Sequence, residues 1–164
     1  MITAIVVSAI AIVGTLILVL RASAAEEIQV SVGQIPAVVS CLKATGKDSS
    51  FVVFLFQPEG RSAHDDDDGV NLQYSIENGR VGLDWVLLAP LNVSDQERIS
   101  AFMKDRGFAV NAQEMNKVRY LRVEDGPIAD LGVQIATDVY RLKPADRINV
   151  IVDGFDWKSD GPAS

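Results

Sequence analysis

The sequence predicts a two-layer α+β domain, an antiparallel sheet covered by helices, preceded by one N-terminal transmembrane helix. Three observations support this: residues 1–20 carry no charge, two alternating segments flank Asn78-Gly79, and amphipathic helical patterns occur in the second half of the chain. The predicted strands have short connections, which favours antiparallel neighbours, and a sheet with one apolar face must bury it under helices.

Length and composition suit one globular domain with an appendage. The chain has 164 residues, of which 48% are hydrophobic, and a formal net charge of −7. This composition is too apolar for a disordered chain and lacks the basic character of nucleic-acid-binding proteins, so we expect no nucleic-acid partner. A single cysteine, Cys41, excludes an internal disulfide, and a single histidine, His64, excludes a His-rich metal site.

Residues 1–20 are long and apolar enough to span a bilayer. Twenty helical residues at about 1.5 Å each extend roughly 30 Å, the thickness of the hydrocarbon core. Twelve of them are Ile, Leu or Val, and these contribute on the order of −4 to −7 kcal/mol toward insertion. We therefore predict that residues 1–21 form a transmembrane anchor or an uncleaved signal, in contact with membrane lipid through residues 1–20.

The residues that follow leave two topologies open. Arg21, the nearest cation, comes after the apolar segment. Positive residues prefer the cytoplasmic side, which favours a single-pass inner-membrane protein with a cytoplasmic C-terminal domain. Ala22-Ser23-Ala24 instead fits the small-residue pattern of a signal-peptide cleavage site, which would give a periplasmic or secreted protein.

The remaining chain divides into a linker, a domain and a tail. We predict a juxtamembrane linker over residues 22–34, the α+β domain over 35–157 and a disordered tail over 158–164. The domain begins with a helix over Ile35–Ala44. A buried strand follows over Phe51–Phe56, a continuous run of aromatic, β-branched and other apolar residues.

The acidic segment after this strand is predicted to be a solvated loop. Residues 65–68 are all aspartates, which suggests calcium binding. An EF-hand loop with Gly69 at its sixth position, however, lacks the acidic first ligand and the final glutamate. The glycosylation triplet that begins at Asn92 is treated as chance, because its Ser94 is expected to cap a helix.

Residues 70–87 predict a β-hairpin with a defined register. Asn78-Gly79 is the dipeptide typical of a two-residue type I′ turn. Alternation on either side then pairs apolar residues on one face and polar residues on the other, so register and turn chemistry agree. The apolar pairs are Ile76–Val81, Tyr74–Leu83, Leu72–Trp85 and Val70–Leu87, and the polar pairs are Glu77–Arg80 and Gln73–Asp84. Trp85 is therefore expected in the core.

Two further helices are predicted. Ser94 and Glu97 form a capping-box pattern that opens a helix ending at Gly107. The second helix opens at Gly126-Pro127, because proline suits the first turn of a helix. Its apolar positions step by three and four residues along the chain: Ile128, Leu131, Ile135, Val139 and Leu142.

The second half also contains strand patterns. Phe108–Val110 is predicted as a short strand and Val118–Val123 as a longer one, with Tyr120 and Arg122 on the same face. Residues 148–152 are apolar, and both a strand and a helical turn remain open for them.

The segment Asn116–Gly126, NKVRYLRVEDG, leads into a helix within the predicted order of helix, three strands, helix, two strands and helix. This order and this segment resemble the YbjN group, whose members share a fold with type III secretion chaperones. The resemblance covers about residues 35–155. It implies a cytoplasmic α+β module that binds peptides or proteins, often as a dimer, without catalysis, and it assigns no binding residue in this chain.

Together these observations predict a membrane-anchored, non-catalytic module that binds a protein or peptide, like a chaperone or an adaptor, with a homodimer also open. An exported soluble binding protein is the second interpretation. A hydrolase is the third, because Ser100 or Cys41 could be combined with His64, but no Gly-x-Ser-x-Gly motif surrounds the serine. We assign no catalytic, cofactor-binding or metal-binding residue and expect no cofactor.

Overall fold

The computed structural model describes residues 28–58 and 69–158. The strands are β1 (Ile28–Ser31), β2 (Phe51–Phe56), β3 (Val70–Glu77), β4 (Arg80–Val86), β5 (Asn111–Met115), β6 (Val118–Val123) and β7 (Arg147–Asp153). The helices are α1 (Ile35–Thr45), α2 (Pro90–Ser94), α3 (Gln96–Asp105) and α4 (Ile128–Gln134), with a 3-10 turn at Val32–Gln34 and a π-helical turn at Ile135–Val139.

The strands form one antiparallel sheet in the order β1-β7-β2-β3-β4-β6-β5. The predicted α+β class is therefore confirmed. From α1 to α4 the order differs from the prediction in two places: two helices, α2 and α3, stand where one was predicted, and the strand after them begins at Asn111 rather than Phe108. No helix in the described part of the chain is long and apolar enough to cross a membrane. The predicted span over residues 1–20 and the aspartates of residues 65–68 lie outside the described residues.

All four helices contribute to one hydrophobic core on a single face of the sheet, here called the helix face. Val38 of α1, Ile99 of α3 and Leu131 of α4 are fully buried there against strand residues such as Phe54 and Leu83. The opposite surface, here called the back face, carries two small apolar clusters built from strand residues and the segment after β4. Among the described helices, none joins either of them.

The predicted hairpin is confirmed. β3 and β4 pair from Gln73–Asp84 to Glu77–Arg80, in the predicted register. Asn78 and Gly79 have φ values of 52° and 74°, as a type I′ turn requires. The ladder stops before the predicted pairs Leu72–Trp85 and Val70–Leu87. β4 continues to Val86 beside β6, but the side chain of Asn92, rather than Val86, bonds to Asn71 of β3.

Asn92 takes over the hydrogen bonding of β3 where β4 ends. Its Oδ1 accepts from the Asn71 backbone nitrogen at 3.1 Å, and its Nδ2 donates to the Asn71 carbonyl at 2.8 Å. The side-chain amide thus pairs with a strand residue as a neighbouring strand would. Trp85 is fully buried, as predicted, and its indole nitrogen donates to the Asn92 carbonyl at 2.9 Å.

The predicted capping box at Ser94 is wrong. The chain becomes helical already at Pro90, so Ser94 ends α2, and its hydroxyl donates to the Leu91 carbonyl at 3.1 Å. Asp95 occupies the N-cap of α3 without a side-chain capping bond. Its carboxylate instead accepts the Tyr140 hydroxyl at 2.7 Å.

Two strands lengthen the sheet beyond the prediction. Residues 28–31, which the sequence places in the linker, form β1, and the ambiguous segment 148–152 belongs to β7. β7 lies between β1 and β2, where Ile148 and Val150 are buried. Pairing with two neighbours at once explains why this apolar segment is a strand.

The segment after α3 also differs from the prediction. Phe108–Val110 is not a strand, and the polar residues Asn111–Met115 form β5 instead. A hairpin turn at Asn116 and Lys117 brings β5 back along β6. Pairing with β6, rather than apolar periodicity, therefore determines the position of this strand.

The predicted second helix is confirmed in its apolar positions but ends earlier. Its five predicted core positions are buried, from Ile128 to Leu142. The regular α-helix stops at Gln134, and a π-helical turn carries the chain to Val139. Leu142 lies beyond the helix, after Arg141 with a φ of 66°.

Candidate functional site

Strand β5 is an open edge of the sheet. Among the strands of residues 28–58 and 69–158 it pairs only with β6, and four of its five residues, Asn111 to Glu114, are exposed. In an antiparallel ladder closed by a two-residue turn, two kinds of residue alternate along each strand. The backbone N–H and C=O groups of one kind bond to the partner strand, and those of the other kind point away from it. From the pairing Met115–Val118, this alternation directs the backbone N–H and C=O groups of Ala112 and Glu114 outward, where an added strand can bind them.

The turn that places β5 uses left-handed backbone at two residues that are not glycine. Asn116 and Lys117 have φ values of 50° and 67°. Asparagine tolerates this conformation, whereas for lysine it is unfavourable by about 1 kcal/mol. The dipeptide lacks the glycine that made Asn78-Gly79 recognisable, which explains why the sequence did not reveal this hairpin.

Natural edge strands are commonly protected by lysine, proline or a bulge. The sequence of β5, NAQEM, has one charged residue, Glu114, but neither lysine nor proline, and its pairing with β6 is continuous over all five residues. The nearby back face carries an apolar cluster formed by Val86, Leu88, Met115, Val118 and Tyr120. An open backbone edge beside an apolar surface is the arrangement used in peptide binding by strand addition.

Tyr120 connects this edge to the interior of the sheet. Its hydroxyl lies 2.9 Å from Oε1 of Gln113 and 3.4 Å from both carboxylate oxygens of Glu77. Burial, together with the negative charges of Glu77 and Asp84, raises the pKa of Tyr120 to about 12. The phenol therefore stays protonated near neutral pH and serves as a hydrogen-bond donor.

A buried ionic group occupies the middle of the back face. We call it the Arg122 cluster, and it consists of Ser75, Glu77, Asp84, Arg122 and Glu124. The Arg122 side chain is fully buried, with Nη1 2.6 Å from Asp84 and Nε 2.8 Å from Glu124. Nη1 also lies 3.0 Å from the Ser75 hydroxyl and 3.4 Å from Glu77. Three carboxylates thus share one guanidinium.

Gly82 provides the space for this guanidinium. A Cβ at residue 82 would collide with the Arg122 side chain. The β4 backbone contributes further through the Arg80 carbonyl, which accepts from Nη2 of Arg122 at 3.2 Å. At the border of the cluster, Arg80 forms ion pairs with Glu124 at 3.0 Å and with Asp125 at 2.7 Å.

The pKa values within the cluster reflect its burial. Burial raises the pKa of Asp84 to about 7, against the opposing effects of Arg122 and the Ser75 hydroxyl, and the charge of Glu77 adds to the rise. Burial alone would lower the pKa of Arg122, but its carboxylate partners raise it above the ordinary value. Arg122 therefore remains a cation, and Asp84 is the group that titrates near neutrality.

The residues considered for a hydrolytic site lie on different elements. Cys41 is on α1, with its sulfur 3.5 Å from the Asp156 carbonyl, and Ser100 is on α3. His64 lies outside the described residues. Within residues 28–58 and 69–158, no group of three His, Cys, Asp or Glu residues could hold a metal ion.

The sequence did not indicate the Arg122 cluster. It placed Gln73 opposite Asp84 on the polar face but gave no partner for Arg122. That partner follows from the pairing of β4 with β6, in which Asp84 lies opposite Arg122. The one available signal was Arg122, the second arginine of the strand VRYLRV, which lies between Leu121 and Val123. A charged residue that is buried in a strand needs a counter-charge.

Comparison with protein-family models, with curated proteins and with solved structures found no match for this chain. The relation to the YbjN group therefore stays a prediction. The fold and the two surfaces described above, the β5 edge and the Arg122 cluster, are the basis for assigning a function.

Proposed function

We propose that this protein is a membrane-anchored, non-catalytic interaction module that binds an extended peptide along β5. The observation that carries the proposal is the open edge, where Ala112 and Glu114 direct backbone donors and acceptors away from the sheet. A peptide that adds as an eighth strand gains main-chain hydrogen bonds, and its alternate side chains reach the apolar cluster around Tyr120.

The anchor and the peptide site support each other physically. Residues 1–20 restrict the domain to a membrane surface, which raises its effective concentration near partners at that surface. The formal net charge of −7 favours partners with basic segments. The resemblance to the YbjN group also supports a peptide or protein partner.

Proline at residue 112 tests the edge directly. Peptides selected from a linear library on the purified full chain serve as the probe. Ala112→Pro removes an outward N–H, which an edge strand tolerates, but it deprives an added strand of one hydrogen bond and obstructs its approach. We expect affinity to fall by roughly tenfold or more.

The matched control is Ala112→Val, which keeps the N–H and fits a strand. It should bind the selected peptides as the original chain does. Equal thermal melting of the two variants would show that the fold is intact. Unchanged binding by Ala112→Pro would refute peptide addition at β5.

The membrane part of the proposal has its own test. N-terminal sequencing of the purified protein distinguishes a retained anchor from cleavage after Ala24. Reporter fusions after Ser164 then identify the side of the membrane on which the domain lies. We expect an intact N-terminus and a cytoplasmic signal, whereas a mature chain that begins at Ala25 would favour the exported binding protein.

A further inference from the structure

A buried acceptor without a donor lies next to the Arg122 cluster. Gln73 is only 1% exposed, and its side-chain oxygen has no hydrogen-bond partner among residues 28–58 and 69–158. Gln73 lies directly opposite Asp84 in the β3–β4 ladder, so both side chains extend from the back face. Buried polar atoms are almost always hydrogen-bonded, so we expect a donor for the Gln73 oxygen.

The surrounding donors are already directed to other acceptors. Arg122 donates to Asp84, Ser75, Glu124 and the Arg80 carbonyl. The Ser75 hydroxyl donates to Oδ2 of Asp84 at 2.6 Å. The cluster is rich in acceptors and poor in donors, because three carboxylates surround one guanidinium.

Burial restricts what the missing donor can be. Ser75, Asp84 and Arg122 are at most 1% exposed, so this part of the cluster presents no opening to a larger ligand. Glu77 and Glu124 reach the surface, with 17% and 23% of their side chains exposed, and water can solvate their charges. Asp84 is the carboxylate that is both buried and opposite Gln73, so a proton on Asp84 meets the requirement.

We propose that Asp84 is held as the neutral acid and donates its carboxyl proton to the side-chain oxygen of Gln73. The Arg122 cluster is then a buried proton-binding site, and Gln73 is the residue that recognises the protonated state. Loss of this proton leaves three ionised carboxylates around one guanidinium and removes the donor of Gln73. Protonation of Asp84 thus changes the charge of the back face without the binding or release of any other ligand.

The charges that face Asp84 come from three strands. β3 contributes Glu77, β6 contributes Arg122, and β4 itself contributes Arg80, while Glu124 follows β6 directly. The uncharged phenol of Tyr120 is a further titratable group beside them. The balance of burial and these charges raises the pKa of Asp84 to about 7, from an ordinary value of 3.8. The folded chain therefore binds the proton more tightly than the unfolded chain does. Stability from this group is full below pH 3.8 and is lost as the pH rises to about 7.

Carbon-13 NMR of the aspartate carboxyl groups in the full chain tests the proposal, with the Asp84 signal assigned from Asp84→Asn. We expect a titration midpoint near neutral pH. Gln73→Leu removes the acceptor of the protonated form and should shift the midpoint downward. Gln113→Leu, a glutamine on the same face that bonds to Tyr120, should leave the midpoint unchanged.

Two results would overturn the proposal. A midpoint near 3.8 for Asp84 would mean that the carboxylate is ionised at neutral pH and that a buried water serves Gln73 instead. The second result concerns the thermal melting of Asp84→Asn. The asparagine amide of this variant can donate a hydrogen bond to Gln73, as the neutral acid does. At alkaline pH this variant should melt at least as high as the original chain, and a much lower melting temperature at every pH would contradict a neutral Asp84.

Discussion

Arg122 lies against the backbone of Gly82, and this contact leaves no room for a side chain at residue 82. A Cβ built there would stand 2.7 Å from both Nε and Nη2 of Arg122. The glycine therefore does not serve the flexibility of β4. It allows the guanidinium to lie flat on the sheet, within hydrogen-bond distance of Asp84 on β4 and of Glu124 just after β6.

This contact predicts a large effect for the smallest possible substitution. Gly82→Ala should displace the guanidinium, weaken its bonds to Asp84 and Glu124, and destabilise the domain by about 3 kcal/mol. Urea denaturation measures the change. Gly69→Ala is the control, because its Cβ would meet only ordinary contacts of 3.5 and 3.6 Å. Equal effects of the two substitutions would argue against the contact.

A second prediction concerns Asn92, whose side chain bonds to β3 in place of a neighbouring strand. Asn92→Ala removes the two hydrogen bonds to the Asn71 backbone and leaves these part-buried strand groups unpaired. The free energy of unfolding should fall by about 2 kcal/mol. Asn71→Ala keeps both bonds, since they use the backbone of residue 71, and should change stability little. A strongly destabilised Asn71→Ala would point to a different role for this pair.

The approach of α4 to the sheet predicts coupling between Gly132 and Tyr74. A Cβ at residue 132 would collide with the Tyr74 hydroxyl, which donates to the Ile128 carbonyl at 2.9 Å. Gly132→Ala should cost about 2 kcal/mol or more. The same change in a Tyr74→Phe background should cost less, because the obstructing oxygen is gone. A double-mutant cycle of chemical melts measures the difference, and additive effects would rule out the clash.

The β3–β4 turn predicts a purely conformational effect. Gly79 has a φ of 74°, and a Cβ there would meet no atom of the described residues within 4 Å. Gly79→Val should therefore destabilise the domain by about 1 kcal/mol or more through backbone strain alone. Gly79→Asn tolerates left-handed backbone and should cost clearly less in the same denaturation experiment. Equal losses would indicate that the turn is not left-handed at this residue.

Local chemistry explains which elements could be predicted. The hairpin around Asn78-Gly79 was predictable in type and register, because a turn dipeptide and a two-residue alternation act within a few residues. Helix α1 and the buried positions of α4 followed from helical periodicity in the same way. The capping box failed because the pattern at Ser94 did not show that the chain was already helical from Pro90.

The candidate site was less predictable, because its parts come from distant segments. The outward direction of Ala112 and Glu114 depends on the pairing of β5 with β6, and the turn between them carries no glycine. The Arg122 cluster depends on β6 lying beside β4, a pairing that joins Asp84 to a residue on a later strand. No periodicity within either strand specifies its neighbour.

Interactions between residues close along the chain specify the α+β class, one hairpin register and the faces of individual strands, so these features were predictable. Long-range packing places β7 between β1 and β2, leaves β5 as an open edge and brings Arg122 to Asp84 over Gly82. Strand neighbours are selected by the burial of the whole sheet under its helices, a free energy that no single segment contains.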